Sequence, residues 1–204
     1  MKIMVYTANI GGYDKTPNHA FKKEGVDFLS INDEDRDLSN VKKARLAKTC
    51  PHLFFDVFKY DYVIWHDSNM CLKKDPSELC ETVDNLAFLR HRGERKSILD
   101  EARICMSLRK GSKDEIQKQV DLYKEENIVP KFVYETGFNI RSYKKKPELV
   151  GIMELWWNEI EKYSSRDQIS LPYILDKHNV PHQTMEHLNT AYMRNLINFR
   201  ISHG

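Results

Sequence analysis

Long hydrophobic runs are missing from this 204-residue sequence. Nothing approaches the roughly 20 apolar residues of a membrane-spanning helix. The apolar run after Met1 ends within a few residues, too soon for a secretory h-region, and no cleavage site follows it. Surplus charge is missing too. Lys and Arg number 32 against 30 Asp and Glu, a net charge of +2, which argues against bulk electrostatic binding to nucleic acid. Any basic site is therefore local. Cys50, Cys71, Cys80 and Cys105 lack CxxC spacing and do not cluster with histidines, so they read as reduced thiols in a cytoplasmic protein without a zinc site. Neither GxxxxGK[ST] nor GxGxxG occurs, which removes the P-loop and the dinucleotide fingerprint. Repeats, linkers and low-complexity tracts are also absent. What remains is a globular composition, 41% hydrophobic and 11% aromatic, long enough for one domain with a substantial core.

The most informative stretch runs from Asp61 to Asn69. Tyr62 to Trp65 is a four-residue apolar run that reads as a buried strand, and His66, Asp67, Ser68 and Asn69 stand at its carboxyl end. In an α/β sheet that end opens into the ligand crevice. A carboxylate and an amide oxygen two residues apart can face one hard divalent cation, and Asp, Ser and Asn are equally turn formers. Both readings stand on these residues alone.

Strand patterns also cover residues 2–8, 25–31, 86–89 and 132–141, with a late strand over 180–185. Helical patterns follow Ser39 or Asn40, start at Asp75-Pro76, and cover 97–109, 112–127, 147–163 and a segment capped by Ser164 or Ser165. Strands alternating with helices imply an α/β domain with a mixed, mostly parallel central sheet flanked by helices. Ile116, Val120 and Tyr123 form the expected buried stripe of the fourth helix. Gly11-Gly12 permits backbone that other residues avoid, as a tight turn or a ligand-facing loop. Lys42, Arg45 and Lys48 recur every third residue on one helix face, where they are solvated lysines or a diphosphate cradle. The 90–96 segment, rich in Arg and Lys, is favoured as an anion clamp. Gly137 beside Glu135 suggests either a close ligand or a bulge. Trp156-Trp157 offers sugar stacking or packing, with packing preferred for at least one ring.

Taken together, Tyr6-Thr-Ala-Asn9 with Gly12-Tyr13, Lys42-x-x-Arg45-x-x-Lys48, Trp65-His-Asp-Ser-Asn69, His91-Arg92 with Asp100-Glu101-Ala102, Glu135-Thr-Gly137 and Arg166-Asp-Gln168 resemble a GT-A-type glycosyltransferase-like family of plants and bacteria. The likeness runs from Tyr6 to about Tyr173 and extends to amino-terminal glycosyltransferase domains of large chlorella viruses, where the setting would be host cytoplasm. The resemblance implies a Rossmann-related GT-A fold and a nucleotide-sugar donor, a UDP-sugar. It also implies a glycan or glycoprotein acceptor, and Mn2+ or Mg2+ as cofactor. Asp67-Ser-Asn69 looks like the DxD motif with its second acid replaced by Asn69. His203 is the first choice for a further metal ligand and His187 the second. The donor would meet Thr7, Ala8, Asn9, Tyr13, Arg45, Lys48, His66, Asp67, Ser68, His91, Arg92, Gly137 and Gln168. Asp167-Gln168 resembles the acidic pair at the donor sugar and leans toward retention, while Glu135 or Asp167 would serve as base in an inverting enzyme. Two rivals use the same residues: a metal-dependent hydrolase, and a nucleotide-sugar-binding domain without turnover.

Overall fold

Period-two patterns of Ile, Val, Tyr and Trp become strands, and the 3.6-residue patterns between them become helices. The computed structural model describes residues 1–14, 22–91, 93, 95–185 and 191–199. In chain order they form β1 (Ile3–Ala8), β2 (Val26–Ile31), α1 (Asn40–Thr49), β3 (Tyr62–His66), β4 (Met70–Leu72), α2 (Ser77–Glu81), β5 (Leu86–Arg90), α3 (Ile98–Ser107), α4 (Lys113–Glu125), β6 (Tyr134–Arg141), α5 (Leu149–Lys162), α6 (Asp167–Lys177), β7 (Gln183–Met185), α7 (Ala191–Leu196) and β8 (Ile197–Phe199).

The main sheet has the order β2-β1-β3-β6-β5-β7, and β4 with β8 makes a separate two-stranded ribbon. Strand β1 runs parallel to β2 and β3, and β5 runs parallel to β7. Only β6 opposes its two neighbours. The expected mixed, mostly parallel sheet is therefore present, with one reversed strand at its centre. That reversal positions the site, because the amino-terminal half of β6 lies beside the carboxyl end of β3, with His66 opposite Phe138. The β5–β6 register jumps from Phe88↔Asn139 to Leu89↔Glu135, an irregularity that accompanies Gly137.

Alternation along the strands feeds two cores. Tyr6, Trp65 and Phe88 face α1, α5 and α6 with Leu46, Trp156 and Ile169, while Val5, Ile64 and Ile140 face α2 and the small ribbon with Leu79, Leu72 and Leu196. Each large apolar side chain removed from water contributes roughly 1.5–3 kcal/mol. Both tandem tryptophans are core residues, Trp156 at 0% and Trp157 at 9% exposure, so neither is a sugar platform. Ile116, Val120 and Tyr123 are buried as expected.

Ser39, Ser97 and Ser112 cap α1, α3 and α4, each accepting from the backbone N–H three residues on. Two starts shift. Helix α2 begins at Ser77, with Pro76 before it and Asp75 Oδ1 accepting from the Ser77 N–H at 3.0 Å. Helix α6 begins at Asp167, and Ser164 Oγ accepts from the Arg166 N–H at 3.4 Å. The short strands β4 and β8 and the helix α7 carry too few residues for a periodic signal. All four cysteines are buried free thiols. Burial pushes Cys50 up to about 11 and Cys80 up to about 12, so both stay protonated. No helix among the described residues is long and apolar enough to cross a membrane.

Candidate active site

Strand β3 delivers Asp67 one residue past its end. The Asp67 N–H donates to Gly137 O at 2.8 Å, extending the β3–β6 ladder. Asp67 Oδ1 accepts from Lys48 Nζ at 2.9 Å and from Trp65 Nε1 at 3.0 Å. Those bonds occupy one oxygen and leave Oδ2 against Gly137. A Cβ built on Gly137 would lie 3.0 Å from Asp67 Oδ2 and 2.7 Å from Met70 Cε, so a larger residue would push both side chains from these positions.

Lys48 is the hinge of the charge arrangement. Its side chain is 1% exposed, and Nζ also donates to Asp167 Oδ2 at 2.8 Å. Asp167 Oδ2 accepts from Thr136 Oγ1 at 2.8 Å and lies 3.3 Å from Arg45 Nη1. Burial alone would raise the Asp167 carboxyl, but Arg45, Lys48 and Arg166 outweigh it and hold the group well below the usual carboxylate range. The same contest, won chiefly by Lys48 and Arg45, lowers Asp67. Two carboxylates are thus kept ionised by cations interposed between them.

Two cavities adjoin at Arg45 and the Asp67-Ser68 turn. One, of about 460 Å³, is lined by Asp67, Asn69, His91, Glu135, Gly137, Asp167 and Gln168, with Arg45, Arg95 and Arg166 supplying positive charge. The other, of about 280 Å³, is lined by Ala8, Asn9, Gly11, Tyr13, Asn40 and Ser68. Gly11 and Gly12 take φ of +74° and +68°, the left-handed turn that sends the chain around this cavity. Asn9 ties the loop shut, donating to Asp14 O and accepting from the Asp14 N–H at 2.9 Å, and Ser68 Oγ donates to Asp14 Oδ2. Tyr13, 72% exposed, presents a ring at the rim.

Residues 35–203 match the model of the TOD1/MUCI70 glycosyltransferase-like domain. The chain belongs to that family. It is 28% identical over 152 residues to the "Probable hexosyltransferase MUCI70" of Arabidopsis thaliana, a match that covers 67% of this chain. The chain spans about a quarter of that relative's length, 25%. Its fold is similar to the crystal structure of a glycosyltransferase involved in glycosylating the major capsid of PBCV-1, with a TM-score of 0.57 and 9% identity over 99% of this chain and 95% of the other. The matched span begins after β2, so the Ala8-to-Tyr13 wall lies outside it.

Most of the expected site residues converge on the two cavities. Ala8, Asn9, Tyr13 and Ser68 line one cavity, Asp67, Asn69, His91, Glu135, Gly137, Asp167 and Gln168 the other, and Arg45 both. Three placements differ from expectation. Thr7 is 2% exposed and lines neither cavity. His66 is fully buried, hydrogen-bonded through Nδ1 to Asp67 O at 2.9 Å and pushed down to about 4 by burial, so it is a neutral support for the turn. Lys42, Arg45 and Lys48 do not form one basic face: Lys42 Nζ donates to Glu161 O, while Lys48 is interior. Asp167 is held as an anion by Arg45, Lys48 and Arg166. Arg92, His187 and His203 lie outside the described residues. Arg95, Thr136 and Arg166 also line the larger cavity, Thr136 and Arg166 inside motifs that gave them no role of their own. Arg95 Nη1 donates to buried Glu101 at 2.5 Å and lies 3.0 Å from His91 Nε2. The only signal for Arg95 was its place in the basic 90–96 segment.

The expected metal can be tested against the donor set. Asn69 Oδ1 is buried without a hydrogen-bond partner, and it lines the same cavity as Asp67. Among the described residues no three His, Cys, Asp or Glu side chains gather as a metal cluster. Two hard oxygen donors fit Mg2+ or Mn2+, which commonly complete their shells with water and donor phosphates, and they do not fit a soft-metal site.

Proposed function

We propose that this domain is a metal-dependent glycosyltransferase that moves a sugar from a nucleotide-sugar donor, a UDP-sugar, to a hydroxyl of an acceptor such as a glycan or glycoprotein. The observation that carries the reading is the convergence of Asp67, Asn69, Asp167 and Gln168 on one cavity, joined at Arg45 to the Asn9–Tyr13 cavity. Family membership and the fold likeness support the reaction class; the GT-A label and UDP rest on the resemblance of the motifs.

The nucleoside would occupy the smaller cavity, with Asn9 setting its wall and Tyr13 at its rim. Its diphosphate would lie at Arg45, where positive charge is already concentrated. Asp67 and Asn69 would hold the divalent ion, which supplies Lewis-acid stabilisation to the leaving diphosphate. Transfer breaks the bond between the anomeric carbon and the diphosphate oxygen, and the electron pair leaves on the nucleotide. The acceptor oxygen forms the new bond and releases its proton. Arg45, Arg95 and Arg166 face the developing negative charge as preorganised donors. Lys48 keeps Asp67 and Asp167 ionised, so Asp67 stays a ligand and Asp167 an electrostatic anchor near the sugar. Glu135 is then the cavity carboxylate left to receive a proton.

Calorimetric titration of UDP with and without Mn2+, for the wild type and Asp67→Ala, tests this reading. Mn2+-dependent binding that disappears in the variant is expected. Binding that ignores Mn2+ would instead make Lys48 the site's cation and remove the metal from the reading. No binding of UDP under any condition overturns it in favour of a hydrolase.

A further inference from the structure

Beyond the donor cavity, a third opening of about 850 Å³ lies on the far side of His91, Gly93 and Arg95, which it shares with the donor cavity. Its floor is apolar: Leu99, 37% exposed, with Val129, Phe132 and Val133. Its rim carries Arg90, Lys96 and Lys131. Among the described residues none of these three forms a side-chain ion pair, whereas Arg95 is committed to Glu101. Neutral hydrogen-bonding groups are scarce there. Ser97 is spent on capping α3, accepting from the Asp100 N–H and donating to Asp100 Oδ2. A saccharide with many hydroxyls would find few partners, and each hydroxyl buried unpaired weakens its binding. An apolar chain joined to an anion would find both of its needs met.

We propose that this groove seats the acceptor's carrier, an amphiphile in which an alkyl or prenyl chain is joined to a phosphate. Arg90, Lys96 and Lys131 hold the phosphate. Leu99, Val129 and Phe132 cover the start of the chain, and the acceptor hydroxyl reaches the donor sugar past His91 and Arg95. The assignment rests on the transferase reading for its role as an acceptor site, and on charge complementarity and continuity with the donor cavity for its location.

Dodecyl phosphate, below its micelle concentration, is titrated into the full chain beside dodecyl maltoside, inorganic phosphate and an acidic oligosaccharide, with UDP titrated separately. The wild type should bind dodecyl phosphate at least about tenfold more tightly than any of the other three probes. Arg90→Ala/Lys131→Ala should lose about tenfold for dodecyl phosphate with UDP affinity unchanged, and Leu99→Asp should lose it similarly. Both rim residues are exposed, so the double variant should fold. Equal affinity for dodecyl maltoside, unchanged affinity in the variants, or tighter binding of the acidic oligosaccharide overturns the proposal. If UDP fails to bind while dodecyl phosphate binds as described, the transferase reading falls and the acceptor role falls with it, while the amphiphile site stands.

Discussion

Removing the buried Lys48 ammonium would leave buried Asp167 with Arg45 at 3.3 Å as its remaining ion-pair partner and take the ion-pair partner from Asp67, whose side chain is 38% exposed. Uncompensated buried charge is among the costlier defects a single substitution makes. Lys48→Met should therefore destabilise the domain by about 3–5 kcal/mol in urea unfolding. A loss under about 1 kcal/mol would mean that water already solvates the pair. The same residues set an acid limit. Asp167 has a folded pKa below its unfolded value, so its stabilising contribution is complete above the ordinary carboxylate range near 4. That contribution is lost as pH falls below this range, because the unfolded chain takes up the proton first. Unfolding midpoints measured from pH 7 down to 2 should fall below about pH 4, and Asp167→Asn should flatten that slope. A variant with an unaltered slope would place the acid sensitivity elsewhere.

At the scale of elements, α3 and β6 carry the site. Helix α3 presents Glu101, fully buried, to Arg95 and to the Cys105 thiol, which donates to Glu101 Oε1 at 3.1 Å. Glu101→Gln replaces a charge-assisted bond by a neutral one and should cost about 2 kcal/mol. It should also free Arg95 to move, seen as weaker binding of anionic ligands in the donor cavity. Strand β6 contributes through what Gly137 lacks. In Gly137→Ala the Met70 methyl can swing away, but Asp67 Oδ2 must shift by a few tenths of an ångström. A stability loss of about 1–3 kcal/mol with about a tenfold weaker affinity for UDP and Mn2+ is expected. Unchanged ligand affinity would show that the Asp67 position is not set by this contact.

For the whole molecule, donor binding and folding are linked. Asp67 follows β3, Asp167 opens α6 and Arg45 lies in α1, so a ligand touching all three binds only the assembled sheet. UDP with Mn2+ at about a hundred times the dissociation constant should add about 2.7 kcal/mol, or roughly 5–10 °C in Tm. Asp67→Ala should abolish that gain in a thermal melt. A gain that survives in the variant would place the ligand elsewhere.

Much of this arrangement was legible in local pattern. Strands β1, β2, β3, β5 and β6 announce themselves by runs that fill a pleated, buried surface, and Ser39, Ser97 and Ser112 by the N–H groups at a helix start. The polar break after Trp65 located Asp67 at the mouth of the sheet. Local pattern could not show that Lys48 turns inward while Lys42 stays outside, since the two point about 120° apart around α1 and distant elements decide what packs against each direction. Nor could it show that β6 runs backward, or that Lys48 reaches Asp167 across 119 residues of chain. Periodicity records which side of an element is apolar, and that much the sequence determined by itself. Which charges meet depends on chain direction and on contacts between distant elements, and those only the tertiary structure decided.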